Sequence, residues 1–192
     1  MTLMHDHRIS DYIKLYADIF TPEDCAVILD EYKDCDCWKP ARIGSRSNEN
    51  LNIRNCDIMN LSLSYVINKN MRYRKEIDTM IYKKIGEVMK KYTNRFPLCH
   101  LRDDSGYDLL RYNTGGYYRE HVDNSPDLLR TVAMSINLND DYVGGEIAFF
   151  RNKMHVKGGV GSVVAFPANF MYPHQVLDVT EGTRYSIVTW LT

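Results

Sequence analysis

The stretch YYREHVDNSP, residues 117–126, follows a glycine pair and runs into a proline. In an extended segment the side chains at i and i+2 project to the same face. His121 and Asp123 would then point together at whatever lies on that face. A buried carboxylate is costly unless it is paired or bound to metal, and a histidine with an aspartate can begin a metal site. The pair alone proves nothing, so its meaning depends on the framework around it.

That framework reads as β-structure. YDLLRY (107–112), TVAMSINLN (131–139), EIAFF (146–150), SVVAF (162–166), HQVLDV (174–179) and RYSIVTWL (184–191) have the length and the β-branched or aromatic content of strands. Nine of the eleven glycines lie at or after Gly106, and they fall between these runs as turn signals. Six or more short strands at this spacing suggest a sandwich or barrel.

The first half carries the helical signals. In TPEDCAVILDEYKDC, Thr21 can cap, Pro22 suits the first helical position, and Glu23 and Asp24 favour the positive end of the helix. From about Met71 to Tyr92, Ile77, Ile81, Ile85, Val88 and Met89 fall on one stripe, with lysines elsewhere around the axis. The expectation is one domain over 1–192, mainly β with N-terminal helices. Residues of about 1–97 would form a helical support, and about 98–192 the β-core.

Composition narrows the function. Of 192 residues, 44% are hydrophobic and 26% charged, and the net charge of −1 gives no basic excess for general nucleic-acid binding. Five irregularly spaced cysteines argue against a disulfide framework and fit a reducing cytoplasm. Cys35 and Cys37 resemble half of a zinc site, but no second pair with that spacing follows, so they read as incidental thiols. The opening MTLMHDHRISDY has no apolar h-region, so no signal peptide is expected. No run approaches the ~18 apolar residues of a membrane span.

A facial triad needs two histidines and one carboxylate. His174 opens a later strand-like run, 51 residues after Asp123. His155 competes for the role, but Lys153 and Lys157 beside it suit a solvated loop. Ten residues past His174 comes Arg184, inside an apolar run. By alternation Arg184, Ser186, Val188 and Trp190 share one face, and Tyr185, Ile187, Thr189 and Leu191 the other. If the first face lines a pocket, Arg184 needs an anion, and a bidentate carboxylate is its natural partner. Ser186 could add a hydroxyl. The alternative, an exposed edge strand, stays open from this segment alone.

Taken in order, RYNTGGYYREHVD, TVAMSINLND, GGEIAFF, GSVVAFP, HQV and GTRYSIVTWL resemble the iron(II)/2-oxoglutarate-dependent dioxygenases, and within them the prolyl 4-hydroxylase-like group. The resemblance spans about 105–192, with a weaker echo in DIFTPEDCAVIL. It implies a double-stranded β-helix, or jelly roll, with iron(II) held by His121, Asp123 and His174. Arg184 matches the basic residue that pairs with the distal carboxylate of 2-oxoglutarate, and Tyr112, Ser186 and Asn137 would join the cosubstrate. Tyr118, Trp190 and, at the rim, Arg130 would meet substrate, although a solvated arginine is the commoner reading of the last. Two departures stand out: Asn137 occupies the place of a tyrosine, and Arg184 that of the lysine in collagen-type enzymes. The implied cosubstrates are 2-oxoglutarate and O2, with ascorbate as a further candidate. The implied reaction hydroxylates an unactivated C–H, with a prolyl residue in a peptide or protein as the expected substrate. Alternatives are a free amino acid, another protein side chain, a methylated base, or a non-catalytic jelly-roll binding protein.

Overall fold

The computed structural model describes residues 8–42, 51–62, 74–126 and 129–192. Its helices are α1 (Pro22–Tyr32) and α2 (Lys75–Arg95). In chain order the strands are β1 (Lys14–Tyr16), β2 (Lys39–Pro40), β3 (Arg54–Asn55), β4 (Asp57–Asn60), β5 (Asp108–Tyr112), β6 (Tyr117–His121) and β7 (Val132–Asn137). They continue as β8 (Val143–Gly144), β9 (Ile147–Phe149), β10 (Met154–Val156), β11 (Val163–Pro167), β12 (His174–Val176), β13 (Val179–Glu181) and β14 (Arg184–Leu191).

α1 starts where its sequence says it should. The Asp24 amide donates to Thr21 Oγ1 at 3.1 Å, and the Thr21 amide donates back to Asp24 Oδ2 at 2.9 Å. This reciprocal cap satisfies two donors that the helix geometry leaves free. α2 buries Ile77, Ile81, Ile85, Val88 and Tyr92 along one stripe, while Met89 packs at its margin. Residues 71–73 of the sequence-predicted helix lie outside the described residues, and the helix runs three residues past Tyr92.

A seven-stranded sheet has the order β1-β11-β7-β14-β5-β4-β2, and a five-stranded sheet the order β10-β9-β12-β6-β3. All pairings in both are antiparallel. Together they make the expected jelly roll. One face of the larger sheet packs on both helices, joining Ile28, Ile81, Ile85 and Val88 to Leu109, Met134, Ile136, Ile187 and Leu191. Its other face turns toward the smaller sheet. β7, covered on both faces, is buried at all six positions, which is why its sequence reads as a run rather than an alternation.

The front segment does more than the helical reading allows. β1 and β2 are the edge strands of the larger sheet, β4 lies between β5 and β2, and β3 extends the smaller sheet. Strands of two to four residues carry no readable period, so sequence patterning misses them. Two later segments also differ. The run 174–179 divides into β12 and the start of β13, which pair with different partners. His155, expected in a loop, lies on edge strand β10, with its side chain exposed to solvent. Among the described residues no helix is long and apolar enough to cross a membrane.

Candidate functional site

β6 and β12 are neighbours, and their register sets His174 directly opposite His121. Asp123 follows two residues on, just past the strand end, where the Asn124 amide donates to the Ala168 carbonyl at 3.0 Å. The ligand atoms of His121, Asp123 and His174 all lie within 4.8 Å of one another. Each Nε2 stands 3.6 Å from one Asp123 carboxylate oxygen. That is too long for a hydrogen bond and leaves room for an ion between them.

The imidazoles are oriented from behind. His121 Nδ1 lies 2.9 Å from the Arg119 carbonyl and His174 Nδ1 3.1 Å from the Tyr172 carbonyl. A carbonyl only accepts, so Nδ1 carries the proton and each Nε2 keeps its lone pair for the site. Burial, and then the neighbouring His174, hold the His121 pKa well below the usual imidazole value. Tyr118 stacks on His121 with ring centres 3.5 Å apart, and Phe166 meets His174 edge-on at 4.7 Å.

These groups open into a cavity of about 740 Å³ between the sheets. Arg184, Ser186, Val188 and Trp190 all line it, whereas Ile187 and Leu191 face the helices. The alternation read from β14 therefore holds, and the exposed-edge alternative does not: Arg184 is 3% exposed, on a strand flanked by β5 and β7. Arg184 Nη1 donates to Ser186 Oγ at 3.0 Å, and its guanidinium lies 5.3 Å from the centre of the Tyr112 ring. Among the described residues no carboxylate forms an ion pair with Arg184. Tyr112 is its register partner on β5, and the Tyr112 hydroxyl is buried without a hydrogen bond. The Cys56 thiol lies nearby but outside hydrogen-bonding geometry. A buried cation and an orphaned hydroxyl side by side form a seat for an anion.

Other expected residues fall differently. Asn137 does not line the cavity. Its amide nitrogen donates to the Asn139 and Gly158 carbonyls at 2.7 and 3.1 Å, and its Oδ1 accepts from the Tyr142 hydroxyl at 2.9 Å. With both ends engaged in the turns beside β7, it holds backbone together. Arg130 does line the cavity but is not a solvated rim residue: it stacks 3.5 Å over Trp190 and donates to the Asp123 carbonyl at 3.1 Å. It steadies the segment that presents Asp123. Tyr117 points outward to the Leu51 carbonyl, and Tyr172 is buried in the apolar cluster behind His174. Gly145, expected to be only a turn residue, backs the anion seat, because a Cβ there would meet Arg184 Cδ at 2.9 Å.

Sequence reasoning missed Lys39, Arg42, Arg54 and Asp108, which also line the cavity. The first three come from the front segment, whose strands are too short to show which way a side chain faces. Cys35, Asp36 and Cys37 also bring ligand atoms within 4.8 Å of one another. They are consecutive residues in the turn after α1 and line none of the cavity.

The donor set fits a ferrous ion, with two neutral imidazoles and a carboxylate on one side and the cavity on the other. The seat at Arg184 and Tyr112 fits a carboxylate of a cosubstrate reaching that ion. Residues 107–192 match the model of the 2OG-Fe(II) oxygenase superfamily. Curated relatives include a PKHD-type hydroxylase from Rippkaea orientalis, 34% identical over 90 residues, and another from Hyphomonas neptunium, 37% identical over 92 residues. Each match covers 42% of this chain and 40% of the relative, so the chain matches well under half of their length. Among solved structures, a prolyl hydroxylase from Trichoplax adhaerens, in complex with a hypoxia inducible factor peptide fragment, superposes with a TM-score of 0.76. It is 15% identical, over 95% of this chain and 84% of that one. A Pseudomonas putida prolyl-4-hydroxylase superposes at 0.70, with 19% identity over 94% and 91%. At these identities the superpositions speak for the fold alone, a jelly roll like that of the prolyl 4-hydroxylases, and residues 107–192, the motif-bearing part of the sequence, are similar to the 2OG-Fe(II) oxygenase superfamily.

Proposed function

We propose that the chain is an iron(II)- and 2-oxoglutarate-dependent dioxygenase that hydroxylates a prolyl residue within a peptide or protein. The observation that carries this reading is the pairing, inside one cavity, of the His121–Asp123–His174 donor set with a buried arginine and tyrosine that have no anionic partner among the described residues. When bound, iron(II) with 2-oxoglutarate and O2 supplies the oxidising power for breaking an unactivated C–H bond.

The residues divide the remaining work. His121 and His174 offer Nε2, and Asp123 its carboxylate, to the metal, while the Arg119 and Tyr172 carbonyls keep both Nδ1 protons in place. Arg184, Ser186 and Tyr112 bind and orient the far carboxylate of 2-oxoglutarate. Ala133, Ile147, Phe166, Val176 and Val188 wall the cavity with apolar surface and exclude water. Arg130 and Trp190 keep Asp123 and the inner wall in register.

The PKHD-type hydroxylases among the relatives support hydroxylation, and the fold shared with a prolyl hydroxylase solved with a peptide supports the prolyl reading. Proline-rich peptides enter as preformed extended chains with little ordering cost. The test adds iron(II) and then 2-oxoglutarate under argon and looks for a visible absorption band that needs both. The same mixture in air, with proline peptides, free proline and methylated oligonucleotides, is then read by mass spectrometry. A gain of one oxygen on a prolyl residue of a peptide is the expected result. Oxidation of free proline alone, or demethylation of the oligonucleotide alone, would move the substrate while keeping the dioxygenase. Absence of the band would remove the whole reading.

A further inference from the structure

Arg54 belongs neither to the metal site nor to the cosubstrate seat. It sits on β3, whose register pairs it with Tyr118 on β6. Its guanidinium carbon lies 4.5 Å from the centre of the Tyr118 ring, and His121 stacks on that ring at 3.5 Å. Two groups at such distances cannot share one face, so Tyr118 is sandwiched between a metal-site imidazole and an arginine. Arg54 Nε donates to Cys56 Sγ at 3.3 Å, and Nη1 donates to the Arg42 carbonyl at 3.2 Å. Among the described residues it forms no ion pair with a carboxylate. A mostly buried guanidinium held by a thiol and one carbonyl is poorly compensated, and it lines the cavity.

The balance of charge points the same way. Among the described residues, Lys39, Arg54, Arg130 and Arg184 line the cavity against Asp108 and Asp123. A ferrous ion and a dianionic cosubstrate add no net charge to this total. Among the described lining residues the surplus is therefore positive, in a chain whose net charge is −1, and Lys39 and Arg54 bring it in from the front segment.

Resting on the function proposed above, we infer that the substrate carries a carboxylate beside the carbon to be hydroxylated, and that Arg54 binds it, with Lys39 adding attraction from the cavity wall. The stack puts Arg54 one ring beyond His121. An anion on its guanidinium is then within reach of a residue adjacent to the one held at the metal, consecutive Cα atoms being about 3.8 Å apart. An acidic side chain next to a proline and the terminal carboxylate of the hydroxylated residue itself supply the same chemistry. A nucleic acid fits less well, because base recognition needs open aromatic faces. Tyr118 has both faces covered, and Arg130 covers one face of Trp190.

The test measures binding without turnover, using iron(II)-loaded, 2-oxoglutarate-saturated protein under argon. Fluorescent peptides with the C-terminus amidated and either Pro-Glu or Pro-Gln at the centre are compared by anisotropy. Free proline and a methylated oligonucleotide serve as competitors. The acidic peptide should bind about thirtyfold more tightly than its amide twin or better, Arg54→Gln should erase the difference, and Arg54→Lys should retain part of it. Free proline displacing the acidic peptide places the carboxylate on the hydroxylated residue; failure to displace it places the carboxylate on the neighbour. Equal binding of the twin peptides to the unaltered protein, with free proline failing to compete, overturns the inference, even if Arg54→Gln does not fold. So does tighter binding of the oligonucleotide, or a loss of 2-oxoglutarate affinity in Arg54→Gln with peptide discrimination intact. Loss of the absorption band in the unaltered protein would instead count against the proposed function, so the two failures are separable.

Discussion

Arg184 and Asp108 are two charges buried in one cavity with opposite consequences. Arg184 has Ser186 and a tyrosine ring but no counter-ion among the described residues, so a bound anion would complete its compensation. Arg184→Ala should weaken 2-oxoglutarate by about 2–5 kcal/mol, the usual cost of removing one partner of a buried charge pair, and leave iron affinity far less affected. Arg184→Lys should fall between, because lysine lacks the planar fork. Titrating 2-oxoglutarate into each iron-loaded variant measures this, and unchanged affinity would move the cosubstrate seat elsewhere. Asp108 is held by a 2.8 Å hydrogen bond from Asn60, yet burial raises its carboxyl above the usual carboxylate value, the Asn60 bond and nearby arginines only partly opposing. The folded protein thus holds this proton more tightly than the unfolded chain, and stability falls as pH rises through the raised pKa. Asp108→Asn can keep the Asn60 contact and removes the buried charge. It should raise the melting temperature at neutral pH and give no gain at about pH 4; a variant that melts earlier at neutral pH would contradict the assignment.

β14 shows how an element turns sequence period into a site. Eight residues present one face to the helices and the other to the cavity, and the β8 turn behind them supplies space for Arg184. Gly145 sits at φ +67°, a region that disfavours a side chain, and a Cβ there would press on Arg184 Cδ at 2.9 Å. Gly145→Ala should therefore lower 2-oxoglutarate affinity as well as stability, and a variant that is only less stable would mean that Arg184 is positioned without this turn. Gly86, in the middle of α2, is the opposite case: an added Cβ meets nothing within 4 Å. Gly86→Ala should stabilise by up to about 1 kcal/mol through helix propensity alone, visible as a higher denaturation midpoint with unchanged slope.

Over the whole molecule, residues 107–192 pack against the front segment of the chain. The larger sheet buries Leu109, Met134, Ile136, Ile187 and Leu191 against Ile28, Tyr32, Ile81, Ile85 and Val88 from the helices. β1, β2 and β4 cover sheet edges that would otherwise be open. Lys84 ties the two helical regions by an ion pair to Asp24 and a bond to the Ile19 carbonyl, both at 2.8 Å. A fragment of residues 98–192 should therefore bind a hydrophobic dye and melt without a cooperative transition, whereas residues 8–192 should melt cooperatively. A sharp transition in the short fragment would show that the jelly roll stands alone.

Much of this was readable before folding, because it depends on local rules. The capping of α1 follows from Thr21, Pro22 and Asp24, the α2 stripe from a period of 3.6, and the two faces of β14 from a period of 2. The spacing of His121 and Asp123 pointed to two of the three donors, and the family resemblance added His174. What only the tertiary structure decided involves partners distant in sequence or strands too short for a period. Arg54 reaches Tyr118 because β3 joins β6 across 64 residues of sequence separation. Arg130 turns from the rim to Trp190, and Asn137 is taken up by Tyr142 and two backbone carbonyls. Each is a competition among side chains for partners that only the folded chain brings within hydrogen-bonding or stacking distance, so no local pattern records its outcome.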